Sequence, residues 1–87
     1  MPDVIVRMWE VRGDPRTFDQ LLQWVCEVAV PGVEGHYAHI SSEVFASTDH
    51  RIVVITRWRG DLEEFPTPPE GLAARPAHSW DFAPVDR

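Results

Sequence analysis

The chain contains no lysine and no asparagine. All eight of its basic residues are arginine, set against fourteen Asp and Glu, for a net charge of −6. The charges are mixed along the chain and form no basic stripe, so no nucleic-acid partner is expected. Isolated arginines still suit one acidic ligand. The joint lack of Lys and Asn points to the codon bias of a GC-rich bacterial genome. The single cysteine, Cys26, excludes an internal disulfide. It falls in a predicted helix and is read as a small buried hydrophobe. No apolar run approaches the ~18 residues of a membrane span. Met1-Pro2-Asp3 lacks the basic region of a signal peptide, so a cytoplasmic protein without a membrane partner is expected. There is no Cys pair, and no two histidines stand at a helical ligand spacing. His36 and His39, three apart on a predicted strand, face opposite sides. Gly-rich phosphate loops and nucleophile elbows are also missing. No metal and no cofactor are expected.

What remains is a chain of 87 residues with 44% apolar content, the profile of one globular domain spanning residues 1–87. A domain of this size buries only ~60–65% of its unfolded surface, so its core is thin and a partner subunit would help. Val4 to Arg12 is β-branched and aromatic and ends at Gly13-Asp14-Pro15, which marks a strand. Asp14 then caps a helix with Pro15 at its first position. Phe18, Leu21, Leu22, Val25 and Ala29 form one helical stripe, widened by Trp24 and Val28, and Pro31-Gly32 stops it. A second strand is predicted from His36 to Ala46, a hairpin turn at Ser47-Thr48-Asp49-His50, and a third strand from Arg51 to Arg59. Ile52-Val53-Val54-Ile55 makes that third strand central and buried on both sides. Between Gly60 and His78, Asp61 caps a short helix that Pro66, Pro68 and Pro69 break, so the second helix is short or split. Ser79 to Val85 is the last strand, with Pro84 placing it near an edge.

This is an α+β chain of the order β-α-β-β-α-β, a four-stranded antiparallel sheet with helices on one face. Alternation sends Ile5, Arg7, Trp9 and Val11 to one side of the first strand and Val4, Val6 and Met8 to the other. Helices cover one sheet face only. Ile5, Trp9 and Val11 are assigned to the face left over, which a second copy would cover with twofold symmetry. The alternative is that the Gly60–His78 segment folds over the sheet within one chain.

Four stretches resemble the dimeric α+β barrel superfamily, with its ferredoxin-like fold, and within it the antibiotic biosynthesis monooxygenase-like group. They are Val6-Arg7-Met8-Trp9, Pro31-Gly32-Val33-Glu34-Gly35, Val53-Val54-Ile55-Thr56-Arg57-Trp58, and Arg75-Pro76-Ala77-His78-Ser79-Trp80-Asp81-Phe82. Together they span nearly the whole chain, and the shortened second helix departs from the pattern. The resemblance implies a homodimer. It also implies either cofactor-free oxygenation or cyclisation of an aromatic or polyketide-like substrate, or a non-catalytic ligand-binding or structural module of the same fold. The haem-degrading pattern of that group needs an Asn, which this chain lacks.

The residues themselves nominate a site. Arg7, Trp9, Tyr37, His39 and Phe45 are read as sharing one sheet face, with aromatic walls for a planar ligand. Arg7 would orient a phenolate or carboxylate, or stabilise an enolate. His39 would act as base. Trp9, Tyr37 and Phe45 would form the walls, with Trp58 and His78 as further candidates. The plainer alternatives are an Arg7–Glu43 ion pair, packing roles for Trp9, Phe45, Trp58 and Trp80, a turn position for His78, and solvated His36 and His50.

Overall fold

Runs of β-branched residues make Val4–Arg12 a strand, β1, and Arg51–Arg59 another, β3, with the bounds predicted for them. The computed structural model describes residues 3–87; Met1 and Pro2, part of the opening read above as no leader, lie outside them. β1 and β3 pair antiparallel along their full length, with Ile5 opposite Trp58 and Val11 opposite Ile52. β2 (His39–Ala46) joins β3, and β4 (His78–Phe82) joins β1, so the antiparallel order is β2-β3-β1-β4. β2 starts later than predicted because turn bonds hold His36 and His39: the His36 N–H donates to Val33 O at 3.1 Å and the His39 N–H to His36 O at 3.1 Å. β4 stops at Phe82, short of the expected Val85 and two residues ahead of Pro84.

One helical run connects β1 to β2. Asp14 organises the turn ahead of it, its carboxylate accepting the N–H groups of Arg16 at 2.8 Å and Thr17 at 3.1 Å. The helix cap, however, is Thr17, and Pro15 lies in the turn, not at the first helical position as expected. Regular α-helix begins at α1 (Phe18–Trp24), passes through a π-helical turn (Val25–Ala29) and resumes as α2 (Val30–Glu34). Pro31-Gly32 therefore does not stop the helix. A proline ring collides with the carbonyl four residues back. The π turn, in which the Val30 N–H reaches Val25 O, widens the backbone just ahead of Pro31. It also fixes which residues are inside. Leu21, Val25, Ala29 and Val33 are buried at a spacing of four, and Val28 is 55% exposed. Cys26 is exposed too, not buried as expected.

Residues 61–77 contain no helix, only a turn at residues 70–72. The expected short or split second helix is absent. Pro66, Pro68 and Pro69 remove the N–H groups that its hydrogen bonds would need. The segment nevertheless lies on the sheet as a strap. Phe65, Leu72, Ala73 and Ala77 pack against the cluster formed by Trp9, Val11, Leu21, Val25, Ile52 and Val54. Two hydrogen bonds pin it: the Ala74 N–H to Arg12 O at 2.7 Å, and the Thr17 hydroxyl to Leu72 O at 2.9 Å.

The helix and the strap cover the same face of the sheet. Trp9, Val11, Ile52, Val54 and Trp58 are buried there. Ile5, Trp9 and Val11 thus belong to the covered face, which overturns their assignment to the free one. The free face carries the other phase of the alternation: Val6, Met8, Val53, Ile55, Phe45, Trp80 and Phe82, of which the last two are 44% and 53% exposed. Burial of β3 is one-sided, since Val53 and Ile55 are only half-buried. Among the described residues, no helix is long and apolar enough to cross a membrane.

Trp9 is 5% exposed and packs between strap and sheet. Truncation to Ala should cost about 3–5 kcal/mol and lower the melting temperature by at least ~10 °C in a domain of this size. An unchanged melt would contradict its place in the core.

Candidate ligand-binding site

Between the strap and the covered faces of β1 and β4 lies a pocket of about 480 Å³. Trp9, Phe65, Ala73, Ala77 and four prolines (Pro66, Pro68, Pro69 and Pro76) supply its apolar walls. Arg7, Glu64, Glu70, Arg75, Thr67 and Ser79 supply its polar groups. The Phe65 ring rests on Trp9 with centroids 4.5 Å apart. That volume falls within the ~300–1,000 Å³ of small-molecule sites. A second depression, beside Val4, Ile5, Phe82 and Pro84, measures about 580 Å³ but is more open.

Arg7 reaches the pocket from the middle of β1, with its side chain 13% exposed. Asp81 stands directly opposite it on β4. Arg7 Nε and Nη2 donate to the two Asp81 carboxylate oxygens at 2.6 and 2.8 Å, a bidentate pair. Nη1 reaches Glu64 Oε1 at 3.4 Å. The hydrogen bonds from Arg7 hold the Asp81 carboxyl below the usual carboxylate range, and the Arg7 guanidinium is held above its ordinary value by the same bonds. Within the chain Arg7 and Glu43 do not pair. Glu43 lies on the free face and pairs with Arg57 at 3.3 Å.

The other candidates divide into two places. His39, Trp58 and Tyr37 gather beyond the pocket, near the end of the helical run. A β-bulge between His39 and Ser41 turns His39 to the covered side, opposite Trp58. Its Nε2 lies 2.7 Å from the Ser42 hydroxyl and its ring meets Trp58 edge-on at 5.3 Å. Trp58 is buried, and its indole N–H donates to Thr56 Oγ1 at 2.7 Å. Tyr37 precedes the strand, is 83% exposed and donates its hydroxyl to Asp61 at 2.6 Å. That bond raises the Tyr37 phenol and lowers the Asp61 carboxyl. His36 stacks on Tyr37 at 4.5 Å, and its Nδ1 accepts the Ala38 N–H. His50, at φ 66° in the hairpin turn, is half-buried with its ring edge toward Phe18. Phe45 and His78 stand on the free face. The pocket therefore unites Arg7 with Trp9 but not with His39, Tyr37, Phe45, Trp58 or His78.

Sequence reasoning missed Phe65, Glu64, Ser79 and the prolines as pocket residues, and Asp81 as the partner that holds Arg7. Phe65, an aromatic set directly before the proline run, was the one visible signal. Asp81 could be found only once β4 was set in register against β1. No group of side chains among the described residues is suited to hold a metal ion. Compared with protein-family models, with curated proteins and with solved structures, the chain matches none.

Asp14, Asp61 and Asp81 all have folded-state pKa values below their unfolded ones. Their contribution to stability is complete above about pH 4 and is lost as pH falls through the lowered values. The melting temperature should therefore drop from about pH 5 toward pH 2, and Asp81→Asn should make that drop shallower. A variant profile parallel to the unaltered one would show that the Arg7–Asp81 bond contributes nothing.

Proposed function

We propose that this chain is a small-molecule-binding domain that works as a twofold dimer. The pocket between strap and sheet carries the binding reading: apolar walls, a firmly held guanidinium and room for a planar organic molecule. Binding is favoured over turnover because His39, the expected base, lies outside the pocket and is engaged with Ser42 and Trp58. An oxygenase-like or cyclase-like reaction on an aromatic or polyketide-like substrate would have to use Glu64 or Glu70 as proton acceptor. The strand order and the single helix-bearing face are in keeping with a ferredoxin-like arrangement whose second helix has become a strap. They support the resemblance to the antibiotic biosynthesis monooxygenase-like group.

The free sheet face supports the dimer. Its apolar centre is bordered by the ion pairs Glu43–Arg57 and Glu10–Arg51. Strands of nine, eight, nine and five residues, at ~3.4 Å per residue and ~4.8 Å apart, make a face of roughly 500 Å². Two such faces would bury about 1,000 Å², at the lower edge for a stable interface.

Binding is tested by titrating isotope-labelled protein with a panel of flat aromatic fragments and following amide shifts. Shifts should converge on Arg7, Trp9, Phe65 and Ser79; an unresponsive pocket across the panel would refute the reading. Light scattering should give twice the 10.0 kDa chain mass, and Ile55→Glu, on the free face, should return it to the monomer. A soluble monomer of the unaltered chain would refute the dimer.

A further inference from the structure

A guanidinium carries five N–H bonds in a fixed plane. In Arg7, Nε and Nη2 hold both oxygens of Asp81, which fixes the plane and cancels the charge locally. Nη1 is held only by the 3.4 Å contact to Glu64, whose side chain is 85% exposed. Glu64 is therefore the partner that yields. We propose that the pocket selects a ligand with a flat apolar body and an uncharged carbonyl oxygen, which replaces Glu64 on Arg7 Nη1. This rests on the ligand-binding reading above and narrows its chemistry.

Three observations support that ligand class. The Trp9 and Phe65 rings, tilted 43° to each other, and the proline walls favour an apolar body that lays one flat face against a ring. An acceptor is needed because a ligand without one leaves Nη1 with its long contact alone. An anion is disfavoured because Asp81 already neutralises Arg7, which leaves Glu64 and Glu70 against Arg75 among the charged groups lining the pocket. Arg75 is exposed at the margin, where water screens it, and it also borders the hollow containing Glu10. Arg7 thus acts as an oriented hydrogen-bond donor, not as a receptor for carboxylate or phenolate.

The test uses three probes on one ring system: naphthamide, naphthoate and ethylnaphthalene, substituted at the same position. Each is titrated by amide shift perturbation. Naphthamide should bind at least about fivefold tighter than either of the others. Glu64→Ala, on an exposed side chain, should tighten naphthamide binding about two- to threefold by removing the competitor. Asp81→Asn unmasks the guanidinium and should bring naphthoate level with naphthamide or ahead of it. If that variant does not fold, the order in the unaltered protein and in Glu64→Ala decides. Naphthoate or ethylnaphthalene matching naphthamide in the unaltered protein overturns the proposal while leaving the binding site standing. Failure of all three to bind removes the site and the proposal together.

Discussion

The contact between Phe65 and Trp9, with ring centres 4.5 Å apart, holds a segment that has no hydrogen-bonded frame of its own. Residues 61–77 cannot form a helix through their prolines, and they are not a strand either. Their place over β1 and β4 depends on side chains inserted into the core and on the bonds at Leu72 and Ala74. A helix in this position would fill the space above Trp9 closely, as ridges fill grooves. A proline-rich strap does not, because extended backbone presents fewer side chains to the sheet per unit length. The pocket is the space that this substitution leaves, and Arg7 lines it because it stands two residues from Trp9 on the same face of β1.

The same constraint accounts for the division of the molecule into two surfaces. Helix and strap side by side cover one face of a four-stranded sheet and nothing of the other. The uncovered face keeps an apolar centre because β1 and β3 carry large apolar residues in both phases of their alternation: Trp9 and Val11 inside with Val6 and Met8 outside, Ile52 and Val54 inside with Val53 and Ile55 outside. An aqueous surface would not need that second phase to be apolar.

The strands were legible in the sequence because their signal is local: β1 and β3 begin and end where the alternation does. The faces were not legible for the same reason that the dimer was suggested. With apolar residues in both phases, alternation says which residues travel together but not which set the helix covers. Trp9 and Val11 were consequently placed on the wrong side. Pro31-Gly32 reads as a helix stop, yet a π turn, not a break, resolves the collision, and nothing local distinguishes the two. Strict alternation puts His39 and Phe45 on one face. A single bulge residue, Ile40, puts them on opposite faces. Of the proposed site, Arg7 and Trp9 were recognisable as an arginine and an aromatic in phase on one strand. Asp81 was not, since a pairing between residues 74 positions apart has no local signature.

β4 links the two surfaces. It is an edge strand of five residues, all of them exposed, so its own burial contributes little to holding it in place. Ser79 and Asp81 point to the pocket side, and His78, Trp80 and Phe82 to the free face. The Arg7–Asp81 bond ties the strand to β1 through side chains as well as through the ladder. Any partner sheet that packed on Trp80 and Phe82 would immobilise the same short strand from its other side. The two faces of the sheet thus share one short strand, whose side chains alternate between the pocket side and the free face.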